Sequence, residues 1–137
     1  MNTPQKIIKE IRPHPLAYLF YYFAGGFVTV SIFWTNKYNF LIGILIIIFT
    51  EIFRRAQTFR ILETGVERGF KFLINLKIFA DFDKIQDMSV EQGIIDRVLG
   101  IGKLKINTAG SPNSEIVFSG IKNPEEIEDL IRKKLKK

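Results

Sequence analysis

The chain contains no cysteine and only one histidine, His14, among its 137 residues. Without cysteine it has no disulfide, no thiolate nucleophile and no cysteine-ligated metal. A single histidine set between Pro13 and Pro15 cannot build a usual zinc site, and no Ser-His-Asp or Gly-x-Ser-x-Gly pattern accompanies it. We therefore expect a structural role for His14, and we predict a protein that is not an enzyme and uses no metal or cofactor.

The first third of the chain has very few charged side chains. No Asp, Glu, Lys or Arg occurs in residues 13–36 or 38–50, and Lys37 separates the two runs. At about 1.5 Å per residue, the first run is long enough to cross about 30 Å of hydrocarbon. The second is shorter, but it can span a slightly thinned bilayer if Glu51 and Arg54 lie at the interface. The pattern predicts two transmembrane helices, at about residues 14–35 and 38–54. Two buried core helices and a shallow re-entrant wedge are the alternatives.

Basic residues flank the two predicted spans unequally. The turn between the spans carries only Lys37, whereas the outer flanks carry Lys6, Lys9, Arg12, Arg54, Arg55 and Arg60. The positive-inside rule then predicts a two-span protein of the cell membrane, with both termini in the cytoplasm.

Small and acidic residues within the predicted hairpin suggest how it packs. Gly25, Gly26 and Gly43 would let two antiparallel helices approach closely. Glu51 is the one acidic group near hydrocarbon, and Arg54 and Arg55 follow it on the same helical face. We expect an ion pair here, with a proton relay as the alternative.

The net charge of +6, from 20 basic and 14 acidic residues, suggests a nucleic-acid partner at first. The basic and acidic positions are mixed, however, and the final cluster RKKLKK follows EEIED. A helix dipole favours acidic residues in the first turn and basic residues in the last. We therefore expect no nucleic-acid partner.

From residue 56 onward, the apolar runs give way to short alternating segments. A period of two predicts strands over TFRILE, VERGFKFLIN, LKIFADF, IQDMSVEQ, GKLKINTA and EIVFSG, the second being one longer or two shorter strands. The segment GIIDRVLG is too short for a full helix, and we expect one turn that carries Ile95, Val98 and Leu99 into the core.

The last fifteen residues, NPEEIEDLIRKKLKK, predict a closing amphipathic helix. Asn123 is suited to the N-cap, Pro124 to the first helical position, and Glu126 would complete a capping box. The predicted buried face consists of Ile127, Leu130, Ile131 and Leu135.

The segment DKIQDMSVEQGIIDRVLGIGKLKINTAG holds two glycines one residue apart. The alternation that follows Gly102 predicts a strand, which disfavours a phosphate-binding loop because such a loop opens a helix. We expect Gly100 and Gly102 to release the chain from the short helical turn into this strand, and Gly110 to open the next loop. Arg97 is expected to pair with Asp96 or Asp87.

This segment, the strand order, the closing helix and the RPHP before the first span together resemble the bacterial and archaeal pleckstrin-homology-like proteins of the membrane-flanked type. The residues that match the family pattern are Ile85, Gln86, Gln92, Asp96, Arg97, Leu99, Gly100, Gly102, Thr108, Ala109 and Gly110. The resemblance implies a strongly bent antiparallel sheet or barrel of six to seven strands, open at one corner and plugged by the C-terminal helix. The predicted fold is thus an α+β membrane protein, with an N-terminal segment and hairpin in residues 1–55 and a cytoplasmic domain in residues 56–137.

The resemblance does not imply an activity, and fold alone does not decide one. The leading hypothesis is a scaffold, tethered to the lipid bilayer, that binds a protein partner or a second copy of itself through sheet edges or Lys103 and Lys105. Alternatively, Arg68, Lys71 and Lys77 would bind anionic lipid headgroups, although the chain lacks the dense basic cluster of eukaryotic relatives in fold. A third hypothesis is an accessory subunit of a membrane transport or export complex.

Overall fold

The structure is a computed structural model that describes residues 5–35, 40–109 and 115–136. Within these residues it contains seven strands and four α-helices: β1 (Ile7–Ile11), α1 (Leu19–Thr35), α2 (Phe40–Ala56), β2 (Gln57–Leu62), β3 (Gly65–Lys71), β4 (Asn75–Asp81), β5 (Ile85–Glu91), α3 (Ile94–Leu99), β6 (Ile101–Thr108), β7 (Glu115–Lys122) and α4 (Pro124–Leu135). Short 3-10 turns occur at Pro15–Tyr18 and Phe82–Lys84. Each predicted strand segment corresponds to an observed strand, and VERGFKFLIN divides between β3 and the start of β4.

The strands form two antiparallel sheets, with the orders β1-β2-β3-β4 and β5-β6-β7. The prediction of one continuous bent sheet or barrel is therefore wrong, and the described strands form no closed barrel. The reason lies between β4 and β5, where the 3-10 turn at Phe82–Lys84 interrupts the run of paired strands. Two packed sheets with a closing helix remain consistent with a PH-like fold.

β1 lies in the segment that precedes the helices and was not predicted. It pairs antiparallel with β2, placing Ile11 opposite Phe59 and Glu10 opposite Arg60. The Arg60 guanidinium lies 3.0 Å from Glu10 Oε2 and 3.2 Å from Glu67 Oε1, so it links three neighbouring strands. The helical hairpin is thus an insertion between two adjacent strands of one sheet. The predicted division at residue 55 falls between these strands and stays a prediction.

The hydrophobic core lies between the two sheets and α4. Phe59 of β2 and Phe118 of β7 are fully buried, and their rings stack with centroids 4.6 Å apart. Leu104 and Ile106 of β6 are also fully buried, whereas Lys103, which precedes Leu104 in the same strand, is exposed. The alternation seen in the sequence therefore corresponds to one buried and one solvent-facing side of the sheet.

The closing helix α4 forms at the predicted place and covers this core, but the prediction that Leu135 lies on its buried face is wrong because Leu135 is 38% exposed. Ile127 and Ile131 are 3% and 0% exposed. Asn123 is the N-cap and Pro124 follows it, but the predicted capping box is replaced by another contact. Asn123 has a left-handed φ of 47°, and its side-chain amide donates to Glu126 Oε1 at 3.1 Å.

The prediction of two membrane spans is wrong, and with it the predicted two-span location in the cell membrane with cytoplasmic termini. No helix in the described ranges combines the length and the apolar character that crossing a membrane requires. The first charge-free run opens with the 3-10 turn at Pro15–Tyr18, so α1 has 17 residues, as does α2. Seventeen residues at about 1.5 Å each extend only about 26 Å. Lys37, in the predicted turn, lies outside the described residues.

α3 forms at the predicted place but does not face the core. Ile94, Ile95 and Val98 are 89%, 73% and 82% exposed, so the prediction that Ile95 and Val98 enter the core is wrong. Helical spacing identifies side chains that share a face, but it does not identify what that face packs against. Gly100 ends α3 with a left-handed φ of 67°, which confirms its predicted backbone role.

Candidate functional site

The hairpin formed by α1 and α2 carries most of the exposed large apolar side chains in the described residues. Fourteen of them are between 36% and 79% exposed. We call these residues the hairpin surface: Leu19, Phe20, Tyr21, Phe23, Phe27, Val30, Leu41, Ile42, Ile44, Leu45, Ile48, Phe49, Ile52 and Phe53.

The area of the hairpin surface is large for a single chain. Phe20, Phe23, Phe27 and Phe49 are 79%, 69%, 74% and 57% exposed. At roughly 200 Å² per phenylalanine side chain, these four residues alone expose about 560 Å². The largest apolar patch on a typical monomer is about 300–600 Å² in total. The complete hairpin surface exceeds this range, and such surfaces mark interaction sites.

Small residues between the helices explain why the large side chains point outward. A Cβ atom added to Gly43 would lie 2.0 Å from Thr29 Oγ1 and 2.6 Å from the Gly25 carbonyl oxygen. The helices therefore touch through backbone at Gly25 and Gly43, which confirms the predicted close approach. Gly26 does not take part, because nothing lies within 4 Å of a Cβ added there.

A polar cluster at the base of the hairpin joins both helices to the chain that enters them. Arg54 donates from Nε to Glu51 Oε2 at 2.9 Å and from Nη2 to Glu51 Oε1 at 2.6 Å, and its Nη1 donates to the Pro13 carbonyl at 2.8 Å. Tyr22 donates to Glu51 Oε2 at 2.7 Å, and Arg55 also donates to this carboxylate. The predicted ion pair is confirmed.

The same contacts fix the charge state of the cluster. Hydrogen bonds from Arg54, Tyr22 and Arg55 hold the pKa of the Glu51 carboxyl well below its ordinary range. Burial and the neighbouring Glu51 carboxylate raise the pKa of the Tyr22 hydroxyl. Neither group titrates near neutral pH in this environment, which disfavours the proton-relay alternative and supports a structural role.

An apolar cleft adjoins this base. It has a volume of about 230 Å³ and is lined by Tyr18, Tyr21, Phe49, Thr50 and Phe53. The buried Gln57 side chain donates to the Tyr18 hydroxyl at 2.7 Å, and burial raises the pKa of that hydroxyl. Because this hydrogen bond runs from the first residue of β2 to the turn before α1, it fixes the hairpin against the sheet.

The strand β7 forms a third attachment for the hairpin. The His14 backbone N–H donates to the Gly120 carbonyl at 2.7 Å. Gly120 has a φ of 66°, and a Cβ atom added there would lie 2.6 Å from Ala17 Cβ. His14 Nδ1 accepts a hydrogen bond from the Leu16 backbone N–H at 3.3 Å, which agrees with the structural role expected for this histidine.

The three basic residues considered for lipid headgroups do not form one cluster. Lys77 lies opposite Gly69, and Lys71 follows Gly69 by two residues, so both lysines project from one face of the sheet. Arg68 projects from the other face, where it lies opposite the core residue Phe59. The structure therefore divides the predicted set between two faces.

The other two candidate contact residues lie on the solvent-facing side of β6. Lys103 is exposed, whereas Lys105 Nζ lies 2.6 Å from Glu91 Oε1 and 4.0 Å from Glu115 Oε1. The hydrogen bond with Glu91 raises the pKa of Lys105. Two carboxylates thus balance this lysine, and Lys103 is the more accessible of the pair.

Several residues of the family motif occupy structural positions around α3. Gln92 donates from Nε2 to the Ile101 carbonyl at 2.8 Å, and the Gly93 backbone N–H donates to Asp96 Oδ2 at 3.2 Å. A Cβ atom added to Gly102 would lie 2.7 Å from Gln92 Cγ, so this glycine permits a close approach. Arg97 is exposed and forms no ion pair with Asp96 or any other described residue, so its predicted pairing is wrong.

The remaining motif residues border the strands β5 and β6. Ile85 begins β5 and packs against the core, and Gln86 is exposed. Thr108 ends β6, and the Ala109 backbone N–H donates to the Lys84 carbonyl at 2.8 Å. Leu99, the last residue of α3, is half-buried. Gly110 lies outside the described residues.

The sequence interpretation missed one exposed apolar segment. Phe72, Leu73 and Ile74, which join β3 to β4, are 38%, 89% and 71% exposed. We call them the β3–β4 tip. They lie within a predicted strand segment, although three consecutive apolar residues interrupt the alternation of VERGFKFLIN. That interruption was the available signal.

Comparison with known protein families identifies a match. The family model for the bacterial PH domain matches residues 18–135, from the turn before α1 to the end of α4. No curated protein matches the chain. The matched segment includes the helical hairpin as well as both sheets and the closing helix. The chain therefore belongs to the bacterial PH domain family.

Proposed function

We propose that this chain is a non-enzymatic, self-assembling scaffold in which the hairpin surface packs against the hairpin surface of a second copy. The observation that carries the proposal is the exposure of fourteen large apolar side chains on α1 and α2. Leaving such an area in water costs about 25 cal/mol per Å², so association with a partner that buries this area is strongly favoured.

A second copy suits this surface in chemistry and in size. Residues 19–35 and 40–50 of the two helices carry no charged residue, so two copies would meet without burying an unpaired ion. A standard interface buries about 800 Å² per partner, and the four exposed phenylalanines alone supply about 560 Å² of this. A twofold pairing would use the same patch on both chains and would close after two copies.

The base of the hairpin is fixed to the sheets, so pairing of two hairpins would also position the two attached domains. Three hydrogen bonds hold the hairpin against the sheets: those of Arg54 with Pro13, Gln57 with Tyr18, and the His14 backbone with Gly120. Pairing of hairpins would therefore set the spacing and orientation of two PH-like domains. The solvent-facing side of β6, with Lys103, would remain free for another protein.

The absence of cysteine allows a clean test of the pairing. Full-length Phe27→Cys places a single thiol on the hairpin surface, and Lys103→Cys places one on the outer side of β6 as the control. We expect the wild-type chain to sediment as a dimer in detergent-free buffer, and oxidation to cross-link Phe27→Cys but not Lys103→Cys. A monomer at all concentrations, or equal cross-linking of both variants, would overturn the proposal.

Flotation with lipid vesicles decides between this proposal and headgroup binding. The scaffold predicts a dimer whose sedimentation does not depend on anionic lipid. A chain that stays monomeric and floats with phosphatidylserine vesicles in a salt-sensitive manner would contradict it and support the lipid alternative.

A further inference from the structure

The β3–β4 tip projects beside α2 and not away from the hairpin. The Phe72 ring lies 5.9 Å from the Phe49 ring in an edge-to-face arrangement, and the Phe70 ring lies 5.3 Å from that of Phe53. Phe49 and Phe53 both belong to the hairpin surface. These two aromatic pairs hold the tip against the helix, so the tip and the hairpin surface form one continuous apolar area.

The two residues that follow Phe72 in the tip are aliphatic, so they take no part in these ring pairs. Leu73 and Ile74 are 89% and 71% exposed, beyond the ring pairs that fix Phe72. A loop normally places polar residues at such positions, because an exposed leucine or isoleucine gains nothing from folding. Their position next to an already large apolar area suggests that the same partner covers both.

We infer that the β3–β4 tip is a second contact zone of the self-association interface, and that Leu73 and Ile74 pack on the helices of a second copy. This inference rests on the proposed function. The tip extends the hairpin surface with continuous apolar area, and the two together supply the roughly 800 Å² per partner that a specific interface buries.

Charge indicates which part of the second copy receives the tip. Lys71 immediately precedes the tip and Lys77 projects from the same sheet face, whereas the connecting residues 72–75 contain no acidic side chain. Two tips that met each other would bring like charges together, which disfavours contact. The helices of the second copy carry no charge in residues 19–35 and 40–50, so they can receive the tip without this repulsion. By twofold symmetry the contact would occur twice in each dimer.

The chain offers a closely matched control for this inference. The adjacent pair Ile94 and Ile95 of α3 is 89% and 73% exposed, almost the same as Leu73 and Ile74. The two double variants Leu73→Ser/Ile74→Ser and Ile94→Ser/Ile95→Ser therefore remove equivalent exposed apolar groups from different places in the fold. Circular dichroism would check that both variants keep the wild-type fold.

Sedimentation equilibrium of the full-length chains measures the effect. We expect the tip variant to raise the dimer dissociation constant at least tenfold, and the α3 variant to change it less than twofold. A wild-type monomer would overturn both the proposed function and this inference. A wild-type dimer with an unchanged dissociation constant in the tip variant, or equal weakening by both variants, would overturn only the inference.

Discussion

The sheet core and the helical hairpin use the same types of side chain in opposite ways. Phe59 and Phe118 are fully buried between the sheets, whereas Phe20 and Phe27 on α1 are 79% and 74% exposed. The core brings its phenylalanines together by stacking them across two sheets. The hairpin brings its glycines together and leaves its phenylalanines outside. Apolar composition alone therefore does not distinguish a side chain that stabilises a fold from one that is available to a partner.

This difference separates two properties of the molecule. Substitutions in the core should change the free energy of unfolding, and substitutions on the hairpin surface should change association. The sheets and α4 enclose a continuous core, and among the residues whose burial is described it contains none from α1 or α2. Variants that change one property and leave the other unchanged would support this separation.

The largest effect is expected in the core. Phe118→Ala removes a fully buried ring that stacks on Phe59, and we expect the free energy of unfolding to fall by about 3–5 kcal/mol. Phe20→Ala is the matched control. At protein concentrations low enough to keep the chain monomeric, it should change the same quantity by less than about 0.5 kcal/mol, because its ring is exposed in the single chain. Urea titration monitored by tyrosine and tryptophan fluorescence would measure both. Similar losses for the two variants would contradict the comparison.

The next effect concerns the contact between the helices. In Gly43→Ala the new methyl group would lie 2.0 Å from Thr29 Oγ1 and close to the Gly25 carbonyl, so the helices must separate. We expect a loss of about 1–3 kcal/mol in unfolding free energy. Gly26→Ala meets nothing within 4 Å and should instead stabilise α1 by about 0.4–1 kcal/mol. Thermal unfolding followed by circular dichroism would reveal the opposite signs, and a shared sign would argue against the close backbone contact.

A smaller effect is expected from the ion pairs at the base of the hairpin. Contacts with Arg54 lower the pKa of Glu51, and contacts with Arg60 lower the pKa of Glu10. A depressed folded-state pKa gives stability that is present above the unfolded value of about 4.3 and is lost as the pH falls toward the folded value. We therefore expect the free energy of unfolding to decline below about pH 4.3.

Glu51→Gln tests the contribution of one of these groups. It should lower the free energy of unfolding at pH 7 by on the order of 1 kcal/mol and flatten its decline below pH 4.3. Glu125→Gln, at an exposed position in the first turn of α4, is the control and should retain the wild-type decline. Urea titrations at pH 7, 5, 4 and 3 would measure both variants. If Glu51→Gln kept the wild-type dependence of unfolding free energy on pH, the ion pairs of Glu51 would not be the cause of the decline.

The elements that depend on local pattern were predictable, whereas those that depend on distant contacts were not. Alternation located β2 through Phe59 and Ile61, and β6 through Leu104 and Ile106. β1 was missed because IIKEI resembles a charged N-terminal segment, and its stabilising partner Arg60 lies 50 residues from Glu10. The division into two sheets was missed for the same reason, since no single segment records which strands pair.

The candidate site was predictable only in part. The charge-free runs correctly indicated two closely packed helices, and Glu51 with Arg54 was paired correctly. The length of α1 was overestimated, because the sequence does not show how the residues after Pro15 divide between a 3-10 turn and an α-helix. The exposure of Leu73 and Ile74 depends on the position of the tip beside α2, which only the folded chain defines.

The smallest effect on stability is expected at α3, where the sequence predicted a core position. Ile95 is 73% exposed, so little of its side chain is buried in the folded chain. Ile95→Ala should therefore change the free energy of unfolding by less than about 0.5 kcal/mol. Ile131→Ala on α4 makes the same chemical change at a fully buried position and should cost about 2–5 kcal/mol. Urea titration of the two variants would compare them directly. If Ile95→Ala proved as costly as Ile131→Ala, α3 would pack against the core in solution, and exposed apolar side chains would no longer distinguish the outer surfaces of this molecule from its interior.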